Sequence, residues 1–456
     1  MKFVLLWSDA LIFLLVIALV AFFYSLRKDP RTRERWGQVF GSKLGMVSFV
    51  VILSYVLIAL ADSIHVRMAL DPEPGQDADT VYYDNTVLSA LDIALGNVDK
   101  AHERTYSAPF ALVSFEKQNL KDEQGNSYRG FPPLKHAGQH LDKPEDRAAD
   151  IAWNSLLGLL RGLLISALLI LPQWWWLRGS TLPWRAAWAT QAVIVCTASI
   201  VLKLNTLYHV LGTDLGGTDV LFQSIKGIRT GVLLGTLATL VMLPIAVSFG
   251  VMAGFFKGWT DDVVQYLYTT LSSIPGILLI AASVLLFQVY IDLNPDYFEV
   301  GLEKADAKFV ALAFILGVTS WSTLCRLIRA ETLKISQLEY VQAAIAFGVS
   351  NTRILLRHIL PNVVHIILIT FVLEFSALVL AEAVLSYIGV GIDPSMSSWG
   401  NMINGARSEL SRTPTVWWTL VGAFFFMFLL VLSANLFSDL VRDAFDPRTS
   451  LSKEPK

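Results

Sequence analysis

Nine apolar runs punctuate this chain, and each is close to the roughly 20 residues that a bilayer-crossing helix needs. They lie at about 3–26, 44–63, 151–174, 186–204, 230–255, a sixth around Ser273-Ile274-Pro275, then 309–327, 363–385 and 416–436. The polar segments between them are uneven in charge. Arg27, Lys28, Arg31, Arg33, Arg35 and Lys43 crowd the first connection, so the positive-inside rule makes that connection cytoplasmic and turns the N-terminus outward. Counting spans from there puts Arg326, Arg329, Lys334, Arg353 and Arg357 inside as well, together with the C-terminus, so span count and charge count agree. The first run is too long for a cleaved leader. No A-x-A site follows it, and its basic residues come after the apolar part.

Composition supports the same class. Of 456 residues, 54% are hydrophobic and only 16% charged, with a mean hydropathy of +0.53; soluble domains carry about 25% charged residues. The reading is an all-α integral membrane protein with about nine spans. Cys196 and Cys325 both sit in apolar runs and read as buried free thiols. No GxxxxGK[ST] stretch occurs, so the chain has no phosphate loop and no ATPase site of its own. A net charge of −2 argues neither for nor against an anionic partner, and no nucleic-acid partner is expected.

Residues 1–64 hold two spans, and residues 65–150 form a polar, acidic, extracytoplasmic insert. There, Thr80 to Val98 has helical apolar spacing, and Tyr106 to Phe115 reads as a strand broken by Pro109. His136 and His140 have helical metal-ligand spacing, but Gly138 lies between them and no third ligand is evident, so no metal site is assigned. Residues 151–205 form a hairpin of two spans, with Arg161 inside the first of them. Such an arginine snorkels, pairs or marks a tilted segment. Trp174, Trp175, Trp176, Trp184 and Trp188 form an aromatic belt at the membrane surface.

The most patterned polar stretch is Tyr340 to Asn362, YVQAAIAFGVSNTRILLRHILPN. Val341, Ala344, Ile345, Leu355 and Ile359 can line helix faces on either side of a break at Gly348, where glycine accepts φ > 0. Ser350 or Asn351 can cap the second helix, and Pro361 constrains the start of the next span. Elsewhere, Thr260 can cap a helix after an inner turn, and Pro275 predicts a kink near a pathway. Asp214 and Asp219 can cap backbone N–H groups in an outward Gly/Asp-rich turn. Glu374 and Glu382 lie in the eighth run, about 80° apart around a helix; either can face a cavity or a neighbour. The reading favours Glu374 for the cavity and Glu382 for an interhelical hydrogen bond.

These segments together resemble a known family. Tyr340-Val341, Ala343-Ala344, Gly348, Arg353, Arg357-His358 and Leu360-Pro361-Asn362 resemble the "EAA" coupling loop of ABC-importer permeases, in the form of the C-type subunits of dipeptide and oligopeptide (Dpp/Opp) transporters. Gln342 stands where the general form has Glu. His209-Val-Leu-Gly212-Thr213-Asp214 to Gly217-Thr218-Asp219-Val220 resembles that family's H-P-L-G-T-D-x-x-G-R-D-V, with Val210 for Pro and Thr218 for Arg. Ala253 to Asp261 resembles its A-G-Y-F-G-G-W-x-D, with Lys257 for Gly. Leu385 to Gly391, with Pro394 and Trp399-Gly400, resembles its outer glycine turn, and Arg442 to Arg448 resembles its C-terminal R-D-A-L-D-P-R.

The resemblance implies the transmembrane fold of a type I ABC importer in the bacterial cytoplasmic (inner) membrane, with a core at 206–448, a cytoplasmic coupling loop at about 328–362 and a cytoplasmic tail at 449–456. The first span and the insert lie outside the family's usual pattern. It implies ATPase coupling through Ala343, Ala344, Gly348, Arg353, His358 and Pro361. Pro275, Glu374 and Glu382 become candidates for the substrate path, and Gly212, Asp214, Asp219, Gly389 and Gly391 form outer-mouth turns. Implied partners are a second, B-type permease, two cytoplasmic ATPases carrying ATP and Mg, an extracytoplasmic substrate-binding protein and the lipid bilayer. No cofactor is held by the chain itself. The alternatives are an ion-coupled secondary transporter using Arg161, Glu374 or Glu382, a membrane scaffold, or an ABC permease for a metal chelate, sugar or peptide antibiotic.

Overall fold

The computed structural model describes residues 2–26, 30–70, 83–96, 102–121, 127–141, 143–294 and 301–445. Among these, eight helices are long and apolar enough to cross a membrane. The tail at 449–456 and the motif end Asp446-Pro447-Arg448 lie outside the described residues.

The chain divides into two compact units, the first comprising Met1–Leu5, Phe40–Thr230 and Ser397–Leu430. It opens with strand β1 (Lys2–Val4) and contains α3 (Lys43–Asp62), whose N-terminus is capped by Ser42 Oγ accepting the Gly45 N–H at 2.9 Å. Then come β2 (His65–Ala69), β3 (Tyr83–Ser89) and the short α4 (Ala90–Leu95). β1, β2 and β3 form one antiparallel sheet, with Lys2 opposite Arg67 and Val66 opposite Leu88. This pairing puts residues 2–4 on the same side of the membrane as the insert, as an outward N-terminus requires. The sheet corrects two sequence expectations. The apolar run begins as a strand, and helix α1 starts only at Trp7. The described part of 80–98 is a strand followed by a short helix, because antiparallel pairing with β2 outweighs local spacing. Tyr106 to Phe115 forms no strand; its β pairing among the described residues is limited to the isolated bridges Ser107–Thr213 and Val113–Pro133. A second hairpin joins β4 (Gln118–Lys121) and β5 (Ser127–Gly130).

Helices α5 (Arg147–Trp176) and α6 (Trp184–Asn205) pack antiparallel. A Cβ on Gly158 would lie 2.8 Å from Ile200 Cα, and one on Gly162 2.7 Å from Cys196 Cα; small residues let the two backbones touch. Arg161 is exposed on α5 and makes no ion pair among the described residues.

The second unit comprises Leu6–Val39, Gly231–Met396 and Val431–Lys456. It holds α1 (Trp7–Leu26), α2 (Pro30–Gly41), α8 (Gly258–Ser273), α9 (Gly276–Leu293) and α10 (Leu302–Ile335). Helix α7 (Val220–Phe256) is divided between the units at Thr230. Along its later part, close contact is again made by glycine: a Cβ on Gly317 of α10 would sit 2.6 Å from the Ala238 carbonyl oxygen. Met242, Ala246, Trp321, Leu324 and Ile328 build the core there. The amphipathic α2 packs Trp36 and Val39 onto Phe437, Val441 and Phe445 of the last helix, α15 (Trp418–Phe445). The Trp36 and Phe445 rings meet edge-on at 5.6 Å.

Pro275 does more than kink its span. The helix breaks completely at Ile274, α8 ends, and Pro275 stands at the N-cap of α9. Proline supplies no N–H and restricts the residue before it to extended backbone, here ψ 133° at Ile274. Thr260 is not the cap of α8; Lys257 occupies that position at φ +56° without a side-chain hydrogen bond.

Candidate functional site

The polar stretch after α10 folds as helix, turn, helix. α11 (Glu339–Ala346) ends in a Schellman turn: Val349 N–H donates to Ala344 O at 3.1 Å and Gly348 N–H to Ile345 O at 3.0 Å. Gly348 has φ +72°, the left-handed conformation that this turn requires and that glycine adopts without strain. A Cβ there would meet nothing within 4 Å. Ser350 occupies the N-cap of α12 (Asn351–Ile354), but its hydroxyl makes no capping bond.

α12 continues through one wide π turn, Leu355–Ile359, into α13 (Leu360–Ile388). Thus Pro361 does not begin a separate span as expected. Its ring would clash with the carbonyl four residues back in a regular helix, and the widened turn before it, with Leu360 N–H reaching Leu355 O, accommodates it. α12 is therefore continuous with the long apolar helix α13.

Val341, Ile354, Ile359 and Val363 are fully buried and seat this device in the second unit's core, with Ala344 and Leu355 packed beside them. Ile345, expected on the packed face, is instead exposed. The outward surface is an apolar and basic knob. Phe347 is 86% exposed at the apex and Leu356 62%. Ala343, Arg353, Arg357 and Pro361 are exposed too. Ser350, Arg353, Leu356, Arg357 and Pro361 line a shallow open depression. His358 is half-buried, its ring 5.9 Å from Tyr340, and Asn362 Nδ2 donates to its carbonyl at 2.6 Å. Gln342 turns back on its own chain: Nε2 donates to Ser336 O at 2.6 Å, a bond an ionised Glu could not make.

One feature here was missed by sequence reasoning. Asp261 of α8 takes both arms of Arg329 on α10, at 2.5 and 2.6 Å. Those hydrogen bonds hold its carboxyl below the usual carboxylate range. The bidentate pair fixes α8 beside the helix that leads into α11. The acidic residue closing the Ala253–Asp261 turn was its visible signal.

Within the second unit, Glu382 is buried and accepts the Ser386 hydroxyl at 2.7 Å. Ser386 Oγ in turn accepts the Ile392 N–H at 3.3 Å. Gly389 ends α13 at φ +86°, and a Cβ on Gly391 would lie 2.0 Å from Ser386 Oγ, so this outer turn closes against the helix it follows. Glu374 is half-buried, with no hydrogen-bond or ion-pair partner among the described residues.

In the first unit the other outer turn is built around His209. Its Nδ1 lies 2.7 Å from Asp219 Oδ2 and its Nε2 3.6 Å from Glu103 Oε1. Burial opposes its charge, but the hydrogen bonds and charges of Asp219 and Glu103 prevail and raise its pKa to about 9. Asp219 also accepts the Phe222 N–H at 3.0 Å, capping α7, and Asp214 accepts the Thr218 N–H at 2.9 Å. Glu103 receives the backbone N–H groups of Lys135 and His136. Gly212 and Gly217 leave room for the insert's backbone, since Cβ atoms there would lie 2.3 Å from Ser107 O and 1.9 Å from Glu103 O. The insert is thereby clamped onto the turn. His140 pairs with Asp150 at 2.8 Å, and no group of three or more His, Cys, Asp or Glu suited to a metal gathers among the described residues.

Residues 246–451 match the family model for the binding-protein-dependent transport system inner membrane component. Oligopeptide transport system permease protein OppC of Haemophilus influenzae is 31% identical over 242 residues, covering 53% of this chain and 71% of that protein. Glutathione transport system permease protein GsiD of Pectobacterium atrosepticum is 32% identical over 240 residues, 53% of this chain and 73% of that one. Among solved structures, a chain of the inward-facing methionine ABC transporter MetNI aligns at 16% identity and a TM-score of 0.38, covering 49% of this chain and 96% of that chain.

Proposed function

The chain belongs to the family of binding-protein-dependent transport system inner membrane components, and we propose that the solute it passes is a peptide. It is a transmembrane permease subunit of an ATP-driven importer, not the ATPase. The observation that carries the coupling role is the Schellman turn at Gly348, whose exposed Phe347 apex rides on a helix continuous with span α13. A groove on a cytoplasmic ATPase receives this knob, with Ala343, Ala344, Arg353, His358 and Pro361 at or beside the contact. Force applied there is transmitted through α12 into α13 without an intervening hinge.

In this reading the assembly has a second, B-type permease, two ATPases carrying ATP and Mg beneath, and a substrate-binding protein on the extracytoplasmic side of the inner membrane. ATP shifts the transporter between inward- and outward-facing states because it binds the two unequally. Glu374, half-buried and without a partner among the described residues, is offered to the pathway; Glu382, Gly389 and Gly391 hold the outer turn rigid. The break at Pro275 frees the α8–α9 surface for a neighbour or the path. The printed names of OppC and GsiD support a peptide-like substrate. The test is uptake of labelled di- to pentapeptides into cells bearing this system. ATP depletion abolishes peptide uptake while proton and sodium ionophores leave it intact. Ionophore-sensitive, ATP-independent uptake would instead establish the ion-coupled class.

A further inference from the structure

The turn joining α5 and α6 encloses an open cavity of about 740 Å³ within the first unit. Lys43, Arg178 and Arg185 line it beside Trp174, Trp184 and Trp188, and no carboxylate does. The Arg178 guanidinium lies 3.6 Å from the Trp174 ring centroid, which fixes its direction. Trp184 Nε1 is already satisfied by Ser180 Oγ at 3.0 Å. Trp188 Nε1 is not: it is buried and has no hydrogen-bond acceptor among the described residues. Three cations face a cavity with no counter-charge. Next to it, α5 exposes Leu160, Leu164, Leu168, Leu171 and Trp175. The positive-inside orientation places the cavity at the cytoplasmic leaflet.

We propose that this cavity binds the phosphate headgroup of an anionic phospholipid, whose acyl chains lie along the leucine face of α5. The site is independent of the transported solute. A soluble phosphate would satisfy the cations equally well, but only a lipid also covers the apolar face. Each cation near an anionic headgroup contributes about a fivefold gain in affinity, so three together favour an anionic over a zwitterionic lipid by up to about a hundredfold, and about tenfold is the least the proposal allows. Arginine suits this role because its fork matches phosphate oxygens.

The test uses the full-length chain, delipidated in mild detergent and titrated with phosphatidylglycerol or phosphatidylcholine, with bound lipid read by native mass spectrometry. Phosphatidylglycerol is retained at least about tenfold better. The triple variant Lys43→Gln, Arg178→Gln, Arg185→Gln reduces it to the phosphatidylcholine level. Arg178→Gln alone, which leaves Lys43 and Arg185 in place, lowers retention several-fold and keeps the proposal testable if the triple variant is poorly folded. Equal retention of both lipids, or unchanged retention in both variants, overturns it. Displacement of phosphatidylglycerol by equimolar inorganic phosphate assigns the site to a soluble anion and overturns the lipid reading.

Discussion

Replacing Gly348 separates what the turn does for this chain from what it does for a partner. A non-glycine residue at φ +72° costs about 1–2 kcal/mol. No steric penalty is added, because a Cβ there meets no atom within 4 Å. The flanking helices are held by Val341 and Ile354, both fully buried, and removing such side chains costs about 2–5 kcal/mol each. The strain is thus smaller than the anchoring on either side, and Gly348→Asp and Gly348→Ala chains insert and fold. The equilibrium constant for closing the turn, however, falls by a factor of roughly 5–30, and the new side chain points into open space beside Phe347, where the ATPase groove is proposed to close. Gly348→Asp, which adds a charge as well, abolishes peptide uptake at wild-type membrane abundance, and Gly348→Ala reduces it within that range. Uptake is measured in whole cells, and abundance by quantitative blotting of membranes. Wild-type uptake by Gly348→Asp would refute the coupling role; loss of the protein from the membrane would show that the strain had been underestimated.

Glu374→Gln alters transport rate or selectivity while the chain still co-purifies with its companions, since no partner among the described residues is lost; failure to assemble makes Glu374 structural. Lys257→Gly raises the thermal stability of the detergent-solubilised chain by about 1–3 kcal/mol, because φ +56°, ψ −169° is a conformation essentially restricted to glycine; an unchanged melting temperature contradicts this. The His209 clamp gives a pH signature. Its folded pKa, about 9, is above the ordinary 6.5, so its stabilisation is complete below about pH 6.5 and is lost as pH rises through 9. A thermal-shift series over that interval slopes downward for the wild type, and His209→Gln flattens the slope; equal slopes sink the clamp.

The membrane architecture was legible because spans and their charge asymmetry are local properties. The Gly348 turn was legible for the same reason: one glycine between two short apolar patterns specifies it. Long-range pairings were not. β1 and β2 are joined across two spans, so nothing near Lys2 announces a strand. His209 belongs to a readable motif, but its partner Glu103 lies in the insert, where no pattern singles it out. The register of Arg329 against Asp261 likewise depends on how α8 meets α10. At Pro275 the sequence marked the right place but not the degree of the break, which was set by how much packing the two half-helices retain.

The central claim is that this chain moves solute by engaging ATPases through the Gly348 knob. Its most direct test is purification of the tagged chain in mild detergent, with companions identified by mass and the preparation assayed for ATP hydrolysis. The account predicts a second permease and two ATPases in the complex, hydrolysing ATP, with the ATPases lost on Gly348→Asp. A chain that purifies alone and supports no ATP hydrolysis contradicts it and turns attention to ion coupling through Glu374.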